Sequence, residues 1–107
     1  MKLQTEIIGT TLVARPDCEI DYHSAERLRT QIDAAFDKSS CRHIVFDFSQ
    51  VGFMDSSGIG LVMGRYALIQ ELEGELVVEN MPDHIKRVMK LAGLDRLANM
   101  ENGRARR

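Results

Sequence analysis

The feature that most constrains this chain is a short run, His43-Ile44-Val45-Phe46-Asp47-Phe48, set between two stretches of helical period. So brief and apolar a segment, rich in β-branched and aromatic residues, reads as a buried central strand. Such a strand needs covering layers, and the flanking sequence supplies them. Upstream, Ala25, Leu28, Ile32, Ala35 and Phe36 recur at helical spacing and give the stretch 24–38 one apolar face, with Asp21 placed as its N-cap. Downstream, Asp55-Ser56-Ser57-Gly58 opens a second helix, whose packing face is drawn through Ile59, Val62, Met63, Tyr66 and Ile69. Gly60 and Gly64 lie inside it and cost about 1 kcal/mol each relative to alanine. Close seating of that helix on the sheet is the expected compensation.

The same alternation continues to both ends. Gly74 is expected to stop the second helix, and Leu76-Val77-Val78 is a further buried strand. Pro82 suits the first turn of a third helix packing through Ile85, Val88, Met89 and Leu91, with Gly93 ending it and a weak last strand over 96–100. At the start, Leu3 to Ile8 and 11–14 are strands around a Gly9-Thr10 hairpin turn, and Pro16, lacking a backbone donor, should end the second. The order is ββαβαβα, with a possible final β. Strand–helix–strand units imply right-handed crossovers, so the fold class is α/β: a single open mixed sheet, mostly parallel, with helices packed on it and the hairpin as an antiparallel edge.

Length and composition narrow the function. The 107 residues suit one domain, with a core over about 3–97 and a short basic tail at 102–107. With 14 basic and 16 acidic side chains the formal charge is -2, and Arg104, Arg106 and Arg107 are too few to coat a phosphate backbone. No direct nucleic-acid partner is expected. No apolar run approaches the roughly 20 residues that cross a bilayer, and no signal peptide opens the chain, so the expected location is the cytoplasm, without a membrane partner. Cys18 and Cys41 form no CxxC pair, and His23, His43 and His84 are scattered. Neither a metal site nor a cofactor is expected.

The segment that carries chemistry is Phe53-Met54-Asp55-Ser56-Ser57-Gly58. It puts two hydroxyls after a buried strand at the first turn of a helix, where unpaired N–H groups and the helix dipole favour negative charge. A phosphate on Ser56 adds roughly -1.5 to -2 units of charge and three acceptor oxygens there, opposed by neighbouring Asp55. Asp and Ser are also favoured at helix starts whatever the function, so simple capping stands beside this reading. Glu19-Ile20-Asp21 follows another strand and can share the same sheet edge, since loops beyond strand C-termini commonly form the working edge of such sheets; there too, a cap at Asp21 and a solvated Glu19 is the plainer account. A nucleophilic serine fits poorly: D-S-S-G is not the G-x-S-x-G elbow, and the glycines match no nucleotide cradle. The methionines Met54, Met63, Met81 and Met89 are expected in or at the core, and Lys86, Arg87, Lys90 and Arg96 on a solvated face.

Three separated segments together resemble the STAS domain family and, within it, the sporulation anti-sigma factor antagonists. They are Glu19-Ile20-Asp21 with Ser24-Ala25-Glu26; Arg42-His43-Ile44-Val45 leading to Phe53-Met54-Asp55-Ser56-Ser57-Gly58-Ile59-Gly60 and Gly64-Arg65-Tyr66; and Gly74-Glu75-Leu76-Val77-Val78 with Lys86-Arg87 and Ala92-Gly93-Leu94. The resemblance implies a non-catalytic regulator. Its unphosphorylated form would bind an anti-sigma factor serine kinase, with that kinase's nucleotide, and release a sigma factor. Phosphorylation on Ser56 would end binding, and a serine phosphatase would restore it. Glu19, Asp21, Asp55, Ser56, Ser57 and Gly58 would form the docking edge. The alternative is a STAS scaffold in a stress-signalling or transporter-regulating assembly. The chain departs from the family pattern at Pro16, at Cys18, at Glu73 where glycine is usual, and in lacking a helix after the last strand.

Overall fold

The computed structural model describes residues 2–94 and 99–101. The elements are β1 (Leu3–Ile8), β2 (Thr11–Pro16), α1 (Tyr22–Asp37), β3 (His43–Asp47), α2 (Ser56–Glu71), β4 (Leu76–Glu79), α3 (Asp83–Leu91) and β5 (Asn99–Glu101). One sheet runs in the order β1-β2-β3-β4-β5. The hairpin pair β1–β2 is antiparallel and every other pair is parallel, as the strand–helix alternation requires. Gly9 turns the hairpin at φ 61°, a backbone value that favours glycine. The final strand expected over 96–100 is found at Asn99–Glu101, and 96–98 lie outside the described residues.

Because the strands succeed one another in a single direction, right-handed crossovers put all three helices on one side. The core shows it. Leu12, Ala14, Ile44, Phe46, Leu76 and Val78, the even-numbered residues of β2 to β4, share one buried cluster with Leu28, Ile32, Val62, Ile69, Ile85 and Met89 from the helices. Phe46 and Phe48 tilt against each other with centroids 5.5 Å apart.

Three expectations need correction. The buried face of α2 is Gly58, Leu61, Val62 and Ile69; Ile59 and Tyr66 are half-buried and Met63 is exposed. Ile59 and Tyr66 still pack against the core, so the expected face fails only at Met63, the one of the four methionines outside the core. Gly60 and Gly64 do not seat the helix on the sheet, since a Cβ at either meets nothing within 4 Å. The close approaches are at Gly58, where a Cβ would run into the Met54 side chain, and at Gly74, where it would meet the Arg42 carbonyl. On α3, Leu91 is 84% exposed and Val88 half-buried; Ile85, Met89 and the following Leu94 fill the core. Leu91, two residues past buried Met89, falls on the opposite, wetted side of the helix.

The end of α2 shows what the departure at Glu73 means. Gly74 N–H donates to the Ile69 carbonyl and Glu73 N–H to Gln70, the pattern of a Schellman cap. The residue forced into the left-handed region is Glu73 itself, φ 58°. On α3 the equivalent position is Gly93, φ 80°.

Candidate functional site

Two connections meet at the carboxyl ends of β2 and β3. Ile20 N–H donates to the Phe53 carbonyl (2.9 Å), Asp55 N–H donates to the Ile20 carbonyl (3.1 Å), and Ile20 and Met54 form a parallel bridge. Ile20 and Met54 are both buried. Their backbones therefore hold Glu19-Ile20-Asp21 against the segment 53–58, and α1 and α2 begin side by side. The departures at Pro16 and Cys18 leave this bridge and the α1 cap in place.

Asp21 is the N-cap of α1. Its carboxylate accepts from His23 N–H and Ser24 N–H, both at 3.0 Å, while Asp21 N–H donates to Ser24 Oγ at 2.9 Å, completing a capping box. Ser24 Oγ in turn lies 2.7 Å from the Glu19 carbonyl and donates to it. The Ser24 N–H, then the Ser24 hydroxyl and His23 N–H, hold the Asp21 carboxyl below its ordinary value, against a smaller desolvation effect. Glu19 itself is exposed.

Asp55 is the N-cap of α2, and its side chain accepts from Ser57 N–H alone, at 2.8 Å. Gly58 N–H donates to the Asp55 carbonyl at 3.0 Å. Gly58 is buried and carries no side chain to reach back toward the cap, so no capping box forms. Ser56 is the first helical residue and is exposed, with no hydrogen bond to its hydroxyl among the described residues. Of the six residues the sequence marked, Asp21 and Asp55 are spent on caps and Gly58 on packing. Ser57 is half-buried, and Ser56 and Glu19 face water.

The sequence reading missed the surface beside Ser56. Along α2 the exposed face continues through Gly60, Met63, Gly64 and Ala67 without a charge. On the same helix Arg65 is 12% exposed and turned inward, its Nε 3.2 Å from Asp33 on α1. Tyr22, 76% exposed, and Phe53 flank the two helix starts. Between the helices lies an open groove of about 240 Å³ lined by Tyr22, Ala25, Glu26, Arg29, Ser57 and Gly60. The signal was legible: between Ser56 and Gln70 the sequence holds Arg65 as its one charged residue, unusual for a helix with a wetted face. Among the described residues no cluster of His, Cys, Asp and Glu is spaced to hold a metal ion, and no helix is long and apolar enough to cross a membrane.

Comparison with known proteins places this geometry. The STAS domain family profile matches residues 2–105. The chain is 34% identical over 94 residues to the anti-sigma F factor antagonist of Paenibacillus polymyxa, covering 88% of this chain and 80% of that one. Among solved structures it is similar to the anti-sigma factor antagonist SpoIIAA in its unphosphorylated form, at 30% identity and a TM-score of 0.83 over 96% of this chain and 89% of that one. The Bacillus cell fate determinant SpoIIAA in the phosphorylated form gives 30% identity and a TM-score of 0.76, over 96% and 92%. With the fold and nearly the whole length in agreement, the chain belongs to the STAS domain family.

Proposed function

We propose that this chain is an anti-sigma factor antagonist whose partner binding is switched off by phosphorylation of Ser56. The observation that carries the reading is the exposed, unbonded Ser56 hydroxyl at the start of α2, bordered by a helix face without charge. Relatives of this length and fold are named anti-sigma factor antagonists, and one has been solved both with and without phosphate. The partner is an anti-sigma factor that is itself a serine kinase and brings its own nucleotide and metal; a serine phosphatase reverses the mark. Glu19, Asp21, Asp55, Ser57 and Gly58 surround the serine on the docking edge.

The switch follows from electrostatics at a fixed geometry. A small, apolar helix face lets a partner's backbone approach closely and exclude water. A phosphate there brings roughly -1.5 to -2 charges into that desolvated contact. Asp55 stands beside it and already holds the Ser57 N–H, so a phosphate competes for the donor it most needs. Charge buried without a matching cation is costly, and a loss of about 2.7 to 4.1 kcal/mol weakens binding by two to three decades. No change of fold is required.

The test is incubation with the cognate anti-sigma kinase and ATP, followed by peptide mass spectrometry. One phosphate on Ser56, absent in Ser56→Ala, is the expected result. Phosphate placed on Ser57, or incorporation undiminished in Ser56→Ala, would sink the site assignment.

A further inference from the structure

The free edge of the sheet is a second surface, independent of Ser56. β1 closes the sheet on one side, and among the described residues nothing pairs with its outer edge. Gln4 through Ile8 are all exposed, Ile7 to 49%. The register with β2 fixes which backbone groups are unused. Asp17 N–H donates to the Lys2 carbonyl at 2.9 Å, and Ile8 and Thr11 close the two-residue hairpin turn. In an antiparallel ladder such pairs alternate, so the even-numbered residues of β1 exchange hydrogen bonds with β2. The N–H and C=O groups of Leu3, Thr5 and Ile7 therefore point outward, away from β2. Such a row is a template for another strand, and natural edges are blunted by proline, bulges or charge. β1 has no proline, and its register with β2 runs unbroken from Leu3 to Ile8. Its one charge, Glu6, is turned to the face without helices, where Arg15 lies 3.5 Å away. Thr5, Ile7 and Ile8 are β-branched and suit an extended, paired strand.

The occupant that fits this edge is a second copy of the same strand. In a two-fold antiparallel pair the axis runs through the sheet, so each side chain keeps its face and odd residues oppose odd residues. Centred on Thr5, the pairing uses the whole strand. Thr5 faces its own copy, Leu3 faces the second copy's Ile7, and all three exchange the backbone bonds left open by β2. Leu3, Thr5 and Ile7 register with Pro16, Ala14 and Leu12 and so share the helix side, where Leu3 already packs against the core. Exposed Ile7 thereby gains an apolar neighbour. On the other face Lys2 lies diagonal to the second copy's Glu6, within reach of a long side chain and opposite in charge. A pairing centred on Glu6 would instead set two carboxylates face to face. We propose that this chain self-associates through β1, antiparallel about Thr5, into a two-fold dimer with one continuous sheet. The axis reverses strand direction, so the two Ser56 edges point to opposite ends of the joined sheet.

Disulfide trapping tests the register. Across a hydrogen-bonded antiparallel pair the Cα atoms lie about 5.5 Å apart, a span that a disulfide bridges. In a Cys18→Ala background, where the remaining Cys41 is buried, Thr5→Cys should cross-link to a dimer on mild oxidation several-fold more than Gln4→Cys or Ile7→Cys. Equal yields at the three positions, or the highest yield away from Thr5, would overturn the proposal. Sedimentation equilibrium of the unaltered chain should give a mass that climbs with concentration from one chain toward two. A single-chain mass throughout would leave the edge to a foreign strand and overturn the proposal equally. Thr5→Pro removes an outward N–H while sparing the β1–β2 ladder, a position at which an edge strand tolerates proline. It should hold the mass at one chain with the fold kept in circular dichroism; a folded Thr5→Pro that still dimerises would place the contact elsewhere.

Discussion

The starts of α1 and α2 are built from the same chemistry and end in different states. Each opens with an aspartate in extended backbone, each aspartate accepts from the residue two positions on, and the two are tied through Ile20 and Met54. At the third helical position α1 has Ser24, whose hydroxyl reaches back to the cap, whereas α2 has Gly58. One start is closed into a capping box. The other is left with an exposed serine that nothing holds. The difference is decided by packing beneath the helix: α2 presses so closely on Met54 that a Cβ has no room at Gly58. Tight seating and an open rim are one feature seen from two sides, and a rim of that kind suits a group that must be handed to another protein.

Breaking the contrast chemically should give the largest effect. Phosphate on Ser56 is expected to weaken anti-sigma factor binding about a hundred- to a thousand-fold, equivalent to about 2.7 to 4.1 kcal/mol. The folded chain's own denaturation midpoint should hardly move, as measured by titration calorimetry beside urea melts. A midpoint that falls with phosphorylation would show that the mark acts on the fold instead.

Exchanging the third-position residues comes next. Gly58→Ser gives α2 the residue that closes α1, yet it should destabilise by about 1–3 kcal/mol because the added atoms meet Met54. Ser24→Gly, opening α1, should cost about 1–2 kcal/mol through the lost hydroxyl bonds and glycine's backbone entropy. If Gly58→Ser proves stabilising in urea melts, packing is not what keeps that rim open. Gly60→Ala, in open space two residues on, should instead raise stability by up to about 1 kcal/mol.

The far ends of the helices sharpen the point at smaller scale. Glu73→Gly relieves a left-handed non-glycine residue and should stabilise by about 1 kcal/mol, raising the urea midpoint, whereas Gly93→Ala should lower it by a similar amount.

The smallest effect is in pH. Asp21 is held below its ordinary value chiefly by Ser24 N–H, so its contribution is fully present above about pH 4 and is lost as pH falls through the depressed folded value. Asp47 is also depressed: burial opposes it, but the Ser49 N–H and the Arg15 bond outweigh that. Stability should therefore fall on acidification in the wild type, and by less in Asp21→Asn, which keeps a capping oxygen without the titration. Parallel acid slopes in the two proteins would contradict the assignment.

Much of this was legible in the sequence. The β3 run, the hairpin around Gly9, both aspartate caps and the Ser56 position were read from residue type and period, because propensity and capping act over a few neighbours. The burial of Leu61 in place of Met63 on α2 was not. Met63 and Leu61 are near-equivalent in hydrophobicity, and a helix apolar almost all round offers no stripe by which to choose its buried face. The glycines misled for a related reason. Gly58, Gly60 and Gly64 look alike in the sequence, and only the neighbours in space distinguish a forced glycine from an unencumbered one. Leu91 was assigned to the core, but two residues past Met89 it falls about 160° around the helix, on the wetted face.

The order of elements, the parallel sheet and the serine at a helix start were therefore set by local pattern, since backbone hydrogen bonding and hydrophobic period are properties of a short window of chain. What only the assembled structure decided is which surfaces are used up and which remain. Ile20 and Met54 bring two distant loops into one edge, Arg65 is withdrawn to Asp33, and Gly58 is sealed against Met54. The first two depend on contacts between residues some thirty positions apart, and exposure decided at such a distance is a property of packing that no local window contains.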